Sequence, residues 1–227
     1  MSFWQDPEFG NKIITMMAAL VLVLQIMMVA QRWLVTNIRA FGTQSLLLGC
    51  IAFVIAYYNH APHVYIAAVL TIAIKAILLP VFLERLVMKI EIRQEIEPFV
   101  NIPISVITAG LLTLLAYVVA ESFHRQDEAG AASLGHNTLA VAIALFLIGF
   151  LMMVNRRKAL TQVLGLLSME NGILLAAISL TYGMPLIVEL GVMFDVLVAV
   201  MVLGILVYRI RESFESMDVS RMRRLRG

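Results

Sequence analysis

An all-α, polytopic membrane protein is the fold class this sequence predicts. It should have seven transmembrane helices, its N-terminus outside and its C-terminus in the cytoplasm. Three observations predict it. The 227 residues are 61% hydrophobic and only 14% charged, with a mean hydropathy of +0.92, whereas a soluble domain is nearer half apolar and a quarter charged. Seven apolar runs approach or reach the about 20 residues of helix that a bilayer core needs. Basic residues fall almost entirely in alternate connections between those runs.

The first run, about Ile13 to Trp33, is preceded by Asp6 and Glu8 where a signal peptide would carry basic residues. It is also too long for the apolar core of such a peptide, so it reads as a span. The second, Ala40 to Tyr58, stops at the turn residue Asn59, and Pro62 then opens the third, Val64 to Leu86. The charge-alternating residues from Arg85 to Pro98 prolong that third helix beyond the membrane as a solvated extension. Asn101 and Pro103 mark the start of the fourth run, Ile102 to Ala120, and Gly135 precedes the fifth, Leu139 to Val154. The basic turn "NRRK" leads into the sixth, Leu160 to Thr181. Gly183 and Pro185 separate it from the seventh, Leu186 to Tyr208.

Charge sets the direction of threading. Arg32 and Arg39 follow span one; Arg85, Lys89 and Arg93 follow span three; Arg156, Arg157 and Lys158 follow span five. Arg209, Arg211, Arg221, Arg223, Arg224 and Arg226 follow span seven. Those are 14 of the 17 basic residues, against Lys12 and Arg125 on the other side and Lys75 within a span. Cytoplasmic connections carry the excess of Lys and Arg, which puts the odd-numbered connections and the C-terminus inside. Adding or removing one span would destroy the alternation.

Other chemistry is excluded or weak. Cys50 is the one cysteine, so there is no intrachain disulfide and no cysteine cluster. The four histidines, His60, His63, His124 and His136, all lie in connecting segments, and His60 with His63 lacks a third metal ligand nearby. The arginine-rich tail suits anionic lipid or a partner subunit; in a membrane protein a nucleic-acid partner is excluded.

Four ionisable residues lie where they are costly. Lys75, Glu170 and Asp195 sit near the middle of spans three, six and seven, and Glu189 one turn into span seven. Each such group costs roughly 3 kcal/mol on insertion scales, and intramembrane charges face the bundle interior and mark ion or proton paths. Low-dielectric surroundings bring the charged and neutral forms of such groups closer in energy, which is what a proton relay requires. A buried Lys–Asp or Lys–Glu pair that simply holds helices together is the plainer alternative. Gln25, Gln44, Gln162 and Asn171 add amides at comparable depths. Spans one to three and five to seven also share an outline. Laying "TIAIKAILLP" (Thr71 to Pro80) over "GVMFDVLVAV" (Gly191 to Val200) sets Lys75 opposite Asp195, and repeats are a common plan for transporters.

Some of these stretches also carry a family resemblance. "LSMENG" (Leu167 to Gly172), "PLIVELGVMFDVLVAV" (Pro185 to Val200) and the ending "SMDVSRMRRLRG" resemble the E-type membrane component of hydrogenase-4, found in group 4 nickel–iron hydrogenase complexes. Within that family the last three helices are similar to the small K subunit of respiratory complex I, here covering about Leu139 to Gly227. "TIAIKAILLPVFLERL" (Thr71 to Leu86) carries the likeness in the first half. The resemblance implies two parts: residues 1–121, an N-terminal four-helix membrane part, and residues 136–227, a K-like three-helix part with a basic cytoplasmic tail. It further implies a multi-pass subunit of the bacterial inner membrane that does no redox chemistry and holds no cofactor or metal. Its partners would be antiporter-like and quinone-site-type membrane subunits and, through the complex, a soluble arm with the nickel–iron centre and iron–sulfur clusters.

In the K subunit, helices two and three each carry a glutamate on a hydrophilic axis along which protons move. Glu170 matches the first. Counted back from the terminal "DVS", Asp195 lies nearer the second position than Glu189 does. The resemblance therefore implies Glu170 and Asp195 as the main proton carriers. Lys75 is then a charge partner or relay, Glu189 lies near the outer exit, and Asn171 and Gln25 hold water. A subunit of a multi-subunit cation/proton antiporter and a purely structural subunit remain the rival readings.

Overall fold

The computed structural model describes residues 7–90, 99–124, 138–156, 158–181 and 204. Within them the order is α1 (Pro7–Ala30), α2 (Leu34–Tyr58), α3 (Pro62–Leu70), α4 (Leu79–Ile90), α5 (Ile102–His124), α6 (Thr138–Asn155) and α7 (Ala159–Thr181). A π-helical segment, Thr71–Leu78, joins α3 to α4 without a break. Six stretches among the described residues are long and apolar enough to cross a membrane: Glu8–Ala30, Leu34–Tyr58, Val64–Met88, Ile102–Ser122, Thr138–Asn155 and Leu160–Ile178. They coincide with spans one to six. The seventh apart from Gly204, with Glu189 and Asp195, the basic tail, and residues 91–98 of the solvated extension lie outside the described residues.

Two elements differ from the expectation. The second span starts at Leu34 rather than near Ala40. The polar residues Asn37 and Arg39 are carried inside the helix because Asn37 is buried and Arg39 turns outward to pair with Glu84 on α4, 2.8 Å away. The third span is not one regular α-helix. Its eight-residue π segment ends where Pro80 supplies no N–H and its ring crowds the carbonyl four residues back. Widening the helix is one way a membrane span re-accommodates such a proline.

The turn between α2 and α3 follows directly from the sequence. The Asn59 N–H bonds to Ile55 O and the Ala61 N–H to Ala56 O, with His60 at φ 50° between them. That is a Schellman-type helix end, in which one residue takes the left-handed conformation, and Pro62 then occupies the first position of α3.

Helix packing is closest between α6 and α7. A Cβ built on Gly149 would lie 2.7 Å from Met169 N, and one on Gly165 2.7 Å from Met153 N. These glycines let the two backbones touch, as small residues do between membrane helices. Asn155, the last residue of α6, and Arg156, just after it, tie one end of the bundle together. The Arg156 guanidinium donates to Val29 O and Gln31 O, at 2.9 and 3.1 Å, at the end of α1. Asn155 accepts from Val100 N and donates to Ser105 Oγ at the start of α5, both at 2.8 Å.

Candidate functional site

The buried apolar residues separate into two clusters. One gathers Met28, Leu34 to Phe41, Leu79 to Val87 and Val163 to Leu167; the other gathers Ile14 to Val21, Leu48 to Ala56, Ala61 to Ala68 and Leu174 to Ile178. Both also draw on α6. On every helix that contributes to the two clusters and carries a buried polar group mid-span, that group falls in the gap between them. Gln25 lies on α1, Gln44 and Ser45 on α2, Thr71 and Lys75 on the π segment, and Ser168, Glu170 and Asn171 on α7. The result is a polar belt across the middle of the bundle, with an apolar layer on either side.

At the centre of the belt is an ion pair. Lys75 Nζ lies 3.3 Å from Glu170 Oε2, and the two side chains are 1% and 3% exposed. They come from sequence positions far apart, yet each is near the middle of its span. Desolvating two charges is expensive, and their mutual attraction offsets that cost only in good geometry with further polar partners. The neighbouring residues supply polar company. Gln44 Nε2 donates to Gln25 Oε1 at 2.7 Å, and Ser168 Oγ donates to the same oxygen. Asn171 Nδ2 donates to Gln44 Oε1 at 3.2 Å and to Ser45 Oγ at 3.1 Å, while Gln25 Nε2 points at Met152 Sδ, 3.5 Å away. Among the described residues, buried Asn171 Oδ1 accepts no hydrogen bond. The bonds knit α1, α2 and α7 beside the carboxylate.

The structure therefore brings together four of the six residues picked out from sequence. Lys75 and Glu170 meet directly, and Gln25 and Asn171 are joined through Gln44. Glu189 and Asp195 lie outside the described residues. Gln44 was visible in the sequence as a midplane amide; Ser45 and Ser168 were not picked out. Their signal was spacing: Ser168 stands three residues before Asn171, on the same helix face, and Ser45 adjoins Gln44. Among the described residues, no group of three His, Cys, Asp or Glu side chains is placed to hold a metal ion.

The polar belt can hold a proton at more than one site while staying closed to the surfaces by the apolar layers. It offers one carboxylate and one amine in an ion pair and, in the same layer, a hydrogen-bonded set of amide and hydroxyl groups.

Comparison with known proteins bears on what such a belt serves. Residues 137–227 match the family of NADH-ubiquinone/plastoquinone oxidoreductase chain 4L. Over 202 residues the chain is 31% identical to the uncharacterized protein Rv0085 of Mycobacterium tuberculosis, covering 88% of this chain and 90% of that one. Hydrogenase-4 component E of Escherichia coli K12 is 25% identical over 218 residues, 96% of this chain and 99% of the relative, and the Shigella flexneri protein of that name is equally similar. No solved structure matches.

Proposed function

Because the chain belongs to the family of the mycobacterial protein and is a homologue of hydrogenase-4 component E, we propose that it carries protons within a complex I-like assembly. The chain is a multi-pass membrane subunit of a complex I-like oxidoreductase complex. Our reading places it in the bacterial inner membrane, N-terminus outside and C-terminus inside. Residues 1–121 form a four-helix part and residues 136–227 the K-like part. It joins antiporter-like and quinone-site-type subunits to an electron-transfer arm that holds the redox centres.

One observation carries the reading. The Lys75–Glu170 pair sits in a polar belt that crosses the bundle at mid-depth, between two apolar layers. A belt closed above and below favours movement of protons along the membrane plane, from one subunit to the next. In this reading Glu170 takes up and releases the proton, Lys75 balances the charge, and Gln25 and Asn171 orient water beside it. Asp195 is the next carrier along the belt, and Glu189 lies towards the outer surface. The family match over residues 137–227 supports Asp195 and Glu189 being part of the same path.

The opposing reading, a packing pair, is favoured by the amide donors that are already satisfied within the belt. Glu170→Gln separates the two, since glutamine keeps the shape but cannot release a proton. The complex should assemble, and redox-driven proton movement in membrane vesicles should fall at least tenfold. Normal proton movement by an assembled Glu170→Gln complex would make the carboxylate structural and end the proposal. The orientation has its own test. A reporter active only outside the cytoplasm, fused after Gly227, should stay silent; a strong signal reverses the topology.

A further inference from the structure

We propose that Pro80 and Gly49 are positioning residues that hold Thr71–Leu78 in its π register, and that this register sets Lys75 against Glu170. The inference deepens the proton-carrying reading and rests on it for its consequence in transport; the contact itself is a matter of geometry.

A turn closed by i→i+5 bonds contains about one residue more than an α turn, and such turns are rare and short in most helices. Here the Thr71 N–H still bonds to Ala67 O and Ala68 O, whereas the Leu79 N–H reaches Ile74 O, five residues back. The segment therefore absorbs an extra residue between α3 and α4. An α-helix advances about 100° per residue, and the wider π turn advances less. Over the five steps from Leu70 to Lys75 the shortfall grows to most of one residue. In an uninterrupted α-helix, Ile74 would take the bearing that Lys75 has, and the lysine would turn away from α7.

Two neighbours fit the widened form. Pro80 has no N–H to return to Ala76 O, the acceptor an α register would require, and its ring crowds that carbonyl. Gly42 faces the same spot: a Cβ there would lie 3.0 Å from Pro80 Cγ and 3.3 Å from Ala76 O. Two helical turns along α2, a Cβ on Gly49 would fall onto Ile72 Cγ1. The bare face of α2 thus receives both ends of the π segment. Relaxation of the segment to α geometry would release the extra residue and turn the lysine out of the ion pair.

Zero-length cross-linking tests this in the intact complex. A membrane-permeant carbodiimide takes up the water lost when a carboxyl and an amine in contact form an amide, and mass spectrometry finds the joined peptides. Wild type should give a Lys75–Glu170 amide that is absent from Glu170→Gln. Deleting Leu78 should let the segment relax to α and reduce that product about tenfold. Combining the deletion with Ile74→Lys and Lys75→Ile should restore a cross-link to Glu170. Pro80→Ala and Gly49→Ala, milder changes, should each reduce the wild-type cross-link severalfold in assembled complex. Wild-type cross-linking in the Leu78 deletion, or in both point variants, would overturn the proposal. If the deletion does not assemble, the point variants decide it. These outcomes are independent of vesicle proton movement: loss of pumping in Glu170→Gln with unchanged cross-linking in the register variants keeps the proton reading and removes this one.

Discussion

The α6–α7 hairpin and the third span hold the two ends of one ion pair in opposite ways. The hairpin is regular α-helix, with backbones in contact at Gly149, Gly165 and Gly172, and Glu170 stands between two of those contacts, at Met169 and Gly172. The third span breaks its hydrogen-bond register for eight residues, and Lys75 stands in the break. A carboxylate on a regular, closely packed helix faces an amine on a widened one. The difference teaches that charge placement in this bundle has two separate sources: glycine contact for one partner and backbone register for the other.

The comparison can be broken most severely at the hairpin. Gly165→Leu drives a side chain into the Met153 backbone, where even a Cβ would meet Met153 N at 2.7 Å. Backbone cannot give way as a flexible side chain does, so the expected cost exceeds about 3 kcal/mol. The variant should fail to accumulate in the membrane. Normal levels with an unchanged melting temperature in detergent would show that the hairpin is looser than the glycines imply.

A smaller effect, at the pair itself, sharpens the contrast. Glu170→Ala removes the carboxylate 3.3 Å from a buried lysine, and breaking one side of a buried pair costs about 3 kcal/mol or more. Lys75→Ala removes the other side of the same buried pair and should cost a similar amount. The double variant should be less destabilised than the two singles added together. Strict additivity in thermal unfolding would mean that the two groups do not interact.

The smallest effect is expected at Arg39, whose bond to Glu84 also joins α2 to the third span, at 2.8 Å. Its side chain is 72% exposed, and exposed pairs contribute about 0–1 kcal/mol. Arg39→Ala should leave the melting temperature within a few degrees. A large drop would make this contact, rather than Gly42 and Gly49, the anchor of the third span.

Most of the bundle was legible because hydropathy and charge report what the bilayer tolerates. Apolar length located six spans, and the cost of Lys75 and Glu170 in lipid marked them as partners or functional groups before any geometry was known. Ser45 and Ser168 escaped because a hydroxyl in a membrane helix costs little and so raises no signal. Arg156 was read as a charge on the cytoplasmic side, but it is buried and holds the end of α1; which way a side chain turns at a helix end is not written in composition. The π segment was hidden for another reason. Its residues are as apolar as any span, and Pro80 alone hinted that the hydrogen-bond register would change.

The distance between Lys75 and Glu170 along the chain sets a problem of timing. A ribosome adding roughly 5–20 residues per second delivers the third span to the membrane several seconds before the sixth emerges. During that interval the lysine has no carboxylate from α7 beside it. Insertion must therefore proceed with the amine drawn towards a headgroup or held by the insertion machinery, and the polar belt closes only when the hairpin arrives. Biogenesis of this bundle is thus a wait by its first half for its second, and a nascent chain halted before Glu170 presents a lone buried amine that membrane quality control can read.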